Sequence, residues 1–131
     1  MRIRRTLFTP TQQYDLSIEY NAQQGTATFV VGYDLNAATG IARTGITINN
    51  DQVTIGPSSA PVRVATDYQG TGLGTALIQS TLQFASEQGA HTATASTQQD
   101  NHAALRSFEK NGFRKKGILH NGLVELVKEL N

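Results

Sequence analysis

The hydrophobic pattern of the chain changes period about halfway along. Between residues 12 and 66, apolar and β-branched residues alternate with polar ones in short runs separated by Gly, Asn and Asp, which is typical of strands joined by turns. Strands are predicted at 16–20, 28–33, 43–48, 53–55 and 62–64, the last of them buried, with turns at 21–25 and 49–51. This half of the chain therefore predicts several antiparallel strands.

The second half begins with a helical period. Over residues 72–88, apolar residues recur at steps of three and four, which predicts an amphipathic helix that Gly89 ends. A second helix is predicted to run to Lys110, with Asp100 or Asn101 as its N-cap. Strands are predicted at 91–96, 113–119 and 123–130, the last two joined by a tight turn at Asn121-Gly122. The order of elements predicts one domain, 1–131, with a mixed α/β fold around a single sheet.

Composition narrows the classes of function. The chain has no cysteine, which excludes disulfides, thiolate metal sites and a cysteine nucleophile, and it has no apolar run long enough to span a membrane. We therefore expect a cytoplasmic protein. The formal net charge of +1 gives no overall attraction to nucleic acid or to anionic lipid. The three histidines lack metal-ligand spacing, so no metal site is expected, and the basic clusters Arg2/Arg4/Arg5 and 114–116 are interpreted as solvated strand ends.

The most informative segment is the loop between the predicted strand at 62–64 and the first helix. It contains Gly70, Gly72 and Gly74 at alternate positions, and glycine lets the backbone approach a ligand closely. The first amides of a helix have no partners inside the helix and lie at its positive end, so this loop predicts an anion site that a pyrophosphate would fit. The Rossmann pattern fails because Leu77 stands where a third glycine is needed, and no Gly-Lys-Ser/Thr follows for a P-loop. A glycine-rich tight turn without a ligand remains an alternative interpretation.

Two motifs together resemble the GNAT superfamily of N-acetyltransferases. Its pyrophosphate loop has the form Arg/Gln-x-x-Gly-x-Gly/Ala, which Gln69, Gly72 and Gly74 match after a Val-x-Val strand. Some thirty residues later the family has an Asn, an Ala three positions on, a Tyr seven positions on, and then Gly-Phe. Asn101, Ala104, Phe108 and Gly112-Phe113 stand at those offsets. The resemblance covers roughly residues 53–117 and implies the acyl-CoA N-acyltransferase fold.

The resemblance also implies a cofactor and a set of contacts. Acetyl-CoA would donate its acetyl group directly to an amine, with no metal. The backbone of Val62 and Val64 would pair with the pantetheine arm, and an amide near Val64 would stabilise the oxyanion. The pyrophosphate would be held by the amides of Gln69, Gly70, Thr71, Gly72, Leu73 and Gly74 and by the Thr75 hydroxyl. Asn101 would bind the pantetheine, with Ala104 and Phe108 lining the channel, although a helix cap and an ordinary helix core face explain these three residues as well.

The chain departs from the family pattern at several places. Many relatives place a Tyr that protonates the leaving thiolate where this chain has Phe108, and Ser107 lies about 100° away around the helix. No catalytic side chain is identified. Glu19, Asp34 and His91 are candidates for the base by their predicted strand location only.

The region before the glycine loop is also short. Only residues 21–25 separate the first two predicted strands, where relatives commonly have two helices. The resemblance therefore implies a shortened N-terminal helical region and a shallow acceptor side. An exposed amine on a protein or peptide would fit that side, or a second subunit in a homodimer would complete it.

Three functional hypotheses follow. The first is an acetyl-CoA-dependent N-acetyltransferase that acts on a primary amine of a small molecule, peptide or protein. The second is a non-catalytic CoA-binding or protein-interaction domain that retains the fold, which Phe108 and the missing base favour. The third is a nucleotide-binding module of another fold, which the glycine spacing argues against.

Overall fold

The fold is a single mixed β-sheet with two helices. A computed structural model describes residues 1–32 and 40–130. Within them, nine strands form one sheet in the order β1-β2-β3-β4-β5-β7-β9-β8, with β6 also paired to β4. The strands are β1 (Arg2–Phe8), β2 (Gln13–Asn21), β3 (Thr26–Gly32), β4 (Ala42–Asn49), β5 (Gln52–Ile55), β6 (Arg63–Val64), β7 (Thr92–Thr97), β8 (Arg114–Ile118) and β9 (Val124–Glu129). The helices are α1 (Leu73–Glu87) and α2 (His102–Lys110), and a 3-10 turn spans Thr66–Tyr68.

The first five strands form an antiparallel meander, as their alternating pattern predicts. The turns at 21–25 and 49–51 are confirmed, and each contains a residue with a left-handed backbone, Gly25 (φ +67°) and Asn50 (φ +58°). A Cβ on Gly25 would lie 2.4 Å from the carbonyl oxygen of Ile48, so only glycine fits there. The predicted strand at 28–33 ends at Gly32 in the described residues, and Tyr33 lies outside them.

The sheet divides in its middle. β5 and β7 run parallel, connected through α1, but they pair only over residues 52–54 and 92–94. After β5, residues 56–62 leave the sheet and β6 then returns to β4, where Arg63 lies opposite Arg43. Beyond Thr94, β7 continues beside β9 alone. One edge of β6 therefore has no neighbouring strand among residues 1–32 and 40–130, and β6 and β7 diverge.

The core lies between α1 and one face of the sheet. The ring of Phe84 on α1 meets Phe29 at 5.7 Å and Tyr20 at 5.1 Å between centroids, both in edge-to-face geometry. Such pairs contribute about 0.5–1.5 kcal/mol each beyond the burial of their area. The apolar spacing that predicted the helix over 72–88 is therefore confirmed, and Gly89 (φ +94°) ends α1 as expected. The helix to Lys110 and the hairpin at Asn121-Gly122 are confirmed as well.

Two interpretations of the N-terminal region were wrong. The Arg2/Arg4/Arg5 cluster begins β1, a strand that the pattern did not predict, and Arg5 is not solvated as expected, whereas Arg2 and Arg4 are exposed. Arg5 is half-buried because its guanidinium lies 5.6 Å from the centroid of Phe84 and bonds both carboxylate oxygens of Glu87. The first two strands are thus β1 and β2, and residues 9–12 join them without a helix. The shortened N-terminal region holds, but at a different connection.

The interpretation of residues 114–116 as a solvated strand end is confirmed, since Arg114 begins the edge strand β8 and all three residues are exposed. The prediction for residues 62–64 needs correction. The strand predicted as buried at 62–64 is shorter and less buried: β6 contains only Arg63, which is exposed, and Val64, which is half-buried. β6 is less buried than predicted because clefts lie on both of its sides.

Candidate active site

A cleft of about 480 Å³ is bordered by β6, by the glycine loop and by both helices. Every residue predicted to bind the cofactor lines this cleft except Thr71. Its lining comprises Val62, Arg63, Val64, Tyr68, Gln69, Gly70, Gly72, Leu73, Gly74, Thr75, Ile78, Asn101, Ala103, Ala104, Arg106, Ser107, Phe108 and Lys110. Thr71 is exposed in the same loop and its hydroxyl donates to the carbonyl of Tyr68 at 2.6 Å. Two motifs 32 residues apart in sequence, Gln69 to Asn101, thus meet at one cavity.

The N-terminus of α1 opens into this cleft without a cap. Gly72 is the N-cap residue, so no side chain accepts a hydrogen bond from the first turn, and the first turn contains no acidic residue. The first bond within the helix runs from the amide of Ala76 to the carbonyl of Gly72 at 3.0 Å. The amides of Leu73, Gly74 and Thr75 therefore have no acceptor within the helix. With the positive end of the helix dipole they form a site suited to an anion.

The three loop glycines serve different purposes. Gly70 (φ +79°) and Gly72 (φ +86°) have left-handed backbones that shape the turn, and a Cβ on Gly70 would meet nothing within 4 Å. Gly74 lies inside the helix without a positive φ. A Cβ there would lie 3.5 Å from Cγ2 of Val64 and 3.6 Å from Oγ of Ser107, in ordinary contact with both. Gly74 therefore keeps open the space between β6 and α2.

β6 turns the backbone groups of Val64 toward the cleft and away from β4. The amide of Ala65 donates to the carbonyl of Ile41 at 2.8 Å, so Ala65 directs its hydrogen bond toward β4. Because successive residues of a strand direct these groups to opposite edges, the amide and carbonyl of Val64 point away from β4. The carbonyl of Val64 accepts a hydrogen bond from Nε2 of Gln69 at 3.1 Å. The amide of Val64 lies on the cleft edge of the strand, in the region where the oxyanion donor was predicted.

The N-terminus of α2 is capped. Oδ1 of Asn101 accepts from the amide of Ala104 at 3.2 Å, which confirms Asn101 and not Asp100 as the N-cap. The Nδ2 group of Asn101 makes no hydrogen bond with a described residue and remains able to donate to a ligand. Ala104 is half-buried and also lines the cleft. The ligand contacts expected of these two residues stay predictions.

Phe108 occupies the position of the family tyrosine at the inner wall of the cleft. It is buried, and its ring meets Phe113 edge to face at 5.1 Å. Ser107 borders the cleft too, despite its different direction around α2, and its Oγ accepts from the hydroxyl of Thr75 at 3.3 Å. Nδ2 of Asn111 donates to the carbonyls of Thr75 (3.0 Å) and Ser107 (2.9 Å). These bonds fix α2 against the first turn of α1.

Sequence reasoning missed several residues of this cleft. Arg106 and Lys110 stand one helical turn apart on α2 and add two cations to the lining of the cleft. Their i, i+4 spacing could have indicated from the sequence that both side chains lie on one face of the helix. Arg63 lines the cleft from β6, and Tyr68 and Ile78 add apolar surface. Positive charge at the cleft strengthens its preference for an anionic ligand.

None of the three candidate bases lies in the cleft as far as the structure describes it. Glu19 is exposed on β2, where Oε2 accepts from Nε of Arg2 at 3.3 Å. His91 is exposed just before β7 and does not line the cleft. Asp34 lies outside the described residues. The described lining contains no carboxylate and no histidine, so no base is identified.

A second cleft, of about 650 Å³, lies on the other side of β6. It is bordered by the start of β4, by the loop before β6 and by the turn after it. Arg63 and Val64 border both clefts, so the two meet at β6. The lining comprises Gly40, Ile41, Ala42, Arg43, Ser58, Ser59, Ala60, Pro61, Arg63, Val64, Ala65 and Thr66.

Residues 1–32 and 40–130 contain no group of three or more His, Cys, Asp or Glu side chains that could hold a metal ion. In the same residues, no helix combines the length and the apolar composition needed to cross a bilayer.

Comparison with known proteins identifies the family of the chain. Its sequence matches the model of the acetyltransferase (GNAT) family over residues 3–113, whereas no curated protein sequence matches it. The fold is similar to that of a GNAT-family acetyltransferase from Streptococcus pneumoniae (TM-score 0.68, 17% identity, 84% of this chain and 70% of that one). It is similar to nourseothricin acetyltransferase (TM-score 0.68, 17% identity, 99% and 85%). It is also similar to the PaiA N-acetyltransferase of Thermoplasma acidophilum, solved in complex with coenzyme A (TM-score 0.67, 12% identity, 80% and 61%). The chain belongs to the GNAT acetyltransferase family.

Proposed function

We propose that the chain is an acetyl-CoA-dependent N-acetyltransferase that acetylates a primary amine. The observation that carries this proposal is the uncapped N-terminus of α1, which opens into a 480 Å³ cleft between β6 and α2. Three amides without helical acceptors, together with Arg106 and Lys110, suit a pyrophosphate. The open edge of β6 suits the amide-containing arm of coenzyme A, which can pair with it as a strand does.

The residues of the cleft have separate roles in this proposal. The amides of the glycine loop hold the pyrophosphate, and the hydroxyl pair of Thr75 and Ser107 borders it. The backbone of Val62 and Val64 and the Nδ2 group of Asn101 orient the pantetheine arm. Because Nε2 of Gln69 bonds the carbonyl of Val64, pairing of the arm with that carbonyl requires the Gln69 side chain to share or leave it.

The transfer itself is a direct exchange of bonds. The neutral amine attacks the thioester carbonyl, so that a C–N bond forms and the C–S bond breaks, and the amine loses one proton while the thiolate gains one. The amide of Val64 is placed to stabilise negative charge on the carbonyl oxygen. A primary amine with a pKa near 10.4 is mostly protonated at pH 7, so its deprotonation limits the rate in the absence of a base.

The amine approaches from the second cleft in this proposal. The two clefts meet at Arg63 and Val64, so a donor in one and an acceptor in the other come together at β6. Their separation allows both substrates to bind at once, which direct transfer requires.

A CoA-binding domain without turnover is the second candidate, and the burial of Phe108 favours it. The side chain at the position of the family tyrosine has no hydroxyl, and Phe113 packs against its ring. The described lining also supplies no base. If the chain is an enzyme, a water molecule or a hydroxyl of the lining, such as that of Ser107, protonates the thiolate, or the thiolate leaves unprotonated; otherwise the chain binds CoA without turnover.

Calorimetry and a thiol-release assay separate these candidates. Titration with acetyl-CoA should give saturable heat, and ATP and NAD should bind at least 10-fold more weakly, because neither carries a pantetheine arm. Release of free CoA thiol in the presence of primary amines then identifies an enzyme. Binding without thiol release on any amine would leave the non-catalytic candidate, and no heat with acetyl-CoA would end both.

A further inference from the structure

Two arginines face each other across the strands where the clefts meet. Arg43 on β4 is the direct partner of Arg63 on β6, so their α-carbons are about 5.5 Å apart or less. Val64 points toward α1, since its Cγ2 lies 3.5 Å from where a Cβ on Gly74 would be. Its neighbour Arg63 therefore points to the opposite face of the sheet, together with Arg43.

Arg63 is the member of this pair that is open to a ligand. Like charges that lie directly opposite each other destabilise a strand pair. Arg63 is exposed and makes no ion pair or hydrogen bond with any described residue. The described lining of the second cleft contains no carboxylate, and the exposed Arg63 lies within it, so its guanidinium is open to an anionic ligand.

We propose that the acceptor carries an anionic group, a carboxylate or a phosphate, in addition to its primary amine, and that Arg63 binds this group in the second cleft. This inference rests on the proposed function and names the class of its acceptor. Arginine presents a planar fork of donors that matches the two oxygens of such a group. With the anion at Arg63, the amine of the same molecule lies toward Val64, its neighbour in the strand. The amine forms the C–N bond and loses a proton, and the thiolate that leaves takes one up.

Equilibrium binding tests the inference without relying on turnover. Calorimetry compares ω-amino acids of increasing length with the matching ω-amino amides, and phosphoethanolamine with ethanolamine. The carboxylate or phosphate member of at least one pair should bind at least 10-fold more tightly than its neutral partner, and the two series distinguish the two anions. Equal binding within every pair, or no binding by any of these probes, would overturn the inference.

Variants then assign the preference to Arg63. In Arg63→Gln the preference for the anionic member should fall to about 1-fold, and in Arg63→Glu it should reverse. Arg114→Gln is the matched control, since it removes an exposed strand arginine from β8 that borders neither cleft and should keep the preference. A preference unchanged in Arg63→Gln, or a variant that weakens only acetyl-CoA binding, contradicts the assignment.

The same panel separates this inference from the proposed function. If an anionic probe binds and Arg63→Gln abolishes its preference, but no amine releases CoA thiol, then the anion site stands and the acetyltransferase proposal fails. If thiol release occurs equally with neutral and anionic amines, the acetyltransferase stands and the anion site fails.

Discussion

Two helices begin at the same cleft, yet the chain treats their N-termini differently. α2 is capped by Asn101, whose side chain accepts from the amide of Ala104. α1 starts at Gly72, which has no side chain, and its first amides have no acceptor in the helix. Both helices present the same positive dipole end. α1 leaves three successive amides without an acceptor in the helix, and open donors beside a cleft are what a ligand can use.

Packing explains why α1 tolerates the missing cap. An N-cap side chain contributes about 1 kcal/mol, whereas full burial of one Leu or Phe side chain contributes about 1.5–3 kcal/mol. Five large apolar side chains of α1 are buried, Leu73, Leu77, Ile78, Leu82 and Phe84. α2 buries only Leu105 and Phe108 and depends more on its cap. The longer helix can therefore leave its N-terminus open for binding, while the shorter one uses a cap.

The largest expected effect comes from placing a negative charge at the uncapped terminus. Gly74→Glu should reduce acetyl-CoA affinity at least 100-fold, about 2.7 kcal/mol, because a carboxylate would compete with the pyrophosphate for the same amides. The fold should be retained or slightly stabilised, since residue 74 has no positive φ and an acid in the first turn of a helix is favourable by about 0.3–1 kcal/mol. Calorimetry and thermal melting measure the two quantities separately.

Gly117→Glu is the control for this charge. Gly117 lies on the edge strand β8, has no positive φ, and a Cβ there meets nothing within 4 Å. This variant changes the net charge equally and should bind acetyl-CoA like the wild type. If Gly74→Glu kept wild-type affinity, the amides at the start of α1 would not be the phosphate site.

A smaller effect should separate two glycines of the same loop by their backbone conformations. Gly72→Ala forces a side chain into a left-handed backbone (φ +86°) and should destabilise the protein by about 1–2 kcal/mol. Gly74→Ala should instead stabilise it by about 0.5–1 kcal/mol, because alanine favours the helix and its Cβ makes only ordinary contacts. Urea unfolding of both variants measures the difference. Shifts of equal sign would mean that Gly72 does not set the turn.

The next effect concerns Phe108, which α2 contributes to the cleft. Phe108→Tyr restores the family hydroxyl at the inner wall of the cleft and should raise kcat about 10-fold, about 1.4 kcal/mol in the barrier, by protonating the leaving thiolate. Phe113→Tyr is the control, because Phe113 packs against Phe108 without lining the cleft. Steady-state thiol release gives kcat for each. An equal response of both variants would assign the gain to packing and not to proton transfer.

The sequence predicted the elements of the cleft better than the N-terminal strand. Residues 72–88 carry a helical period, and glycines end or shape the turns around it, so local physics was sufficient there. β1 was missed because its inward positions are Ile3, Arg5 and Leu7, and an arginine interrupts the apolar alternation. Arg5 is accommodated by Glu87 and Phe84, which lie about eighty residues away in sequence, and no local pattern reports such a partner.

The sequence predicted those residues of the site that belong to the two motifs, but not the residues outside them. The spacing of Gln69, Gly72 and Asn101 predicted residues that do line one cleft. The split of the sheet was not predicted, because it depends on β6 returning to β4 after residues 56–62 leave the sheet. The pairing of Arg63 with Arg43 depends on that register too, so no sequence pattern placed two arginines together.

The smallest expected effect distinguishes the two roles of Asn101. Asn101→Ala removes the cap of α2 and should lower the free energy of unfolding by about 1 kcal/mol. Asn101→Ser keeps a capping oxygen and should restore most of that stability, but it lacks the Nδ2 donor that makes no hydrogen bond with a described residue. If this donor binds the pantetheine arm, acetyl-CoA affinity should fall about 5-fold in both variants, corresponding to the roughly 1 kcal/mol of one neutral hydrogen bond. Urea unfolding and calorimetry on the wild type and the two variants distinguish the roles. If acetyl-CoA affinity recovers together with stability in Asn101→Ser, Asn101 acts only as a cap. If Asn101→Ser is stable but binds acetyl-CoA weakly, Asn101 also binds the cofactor.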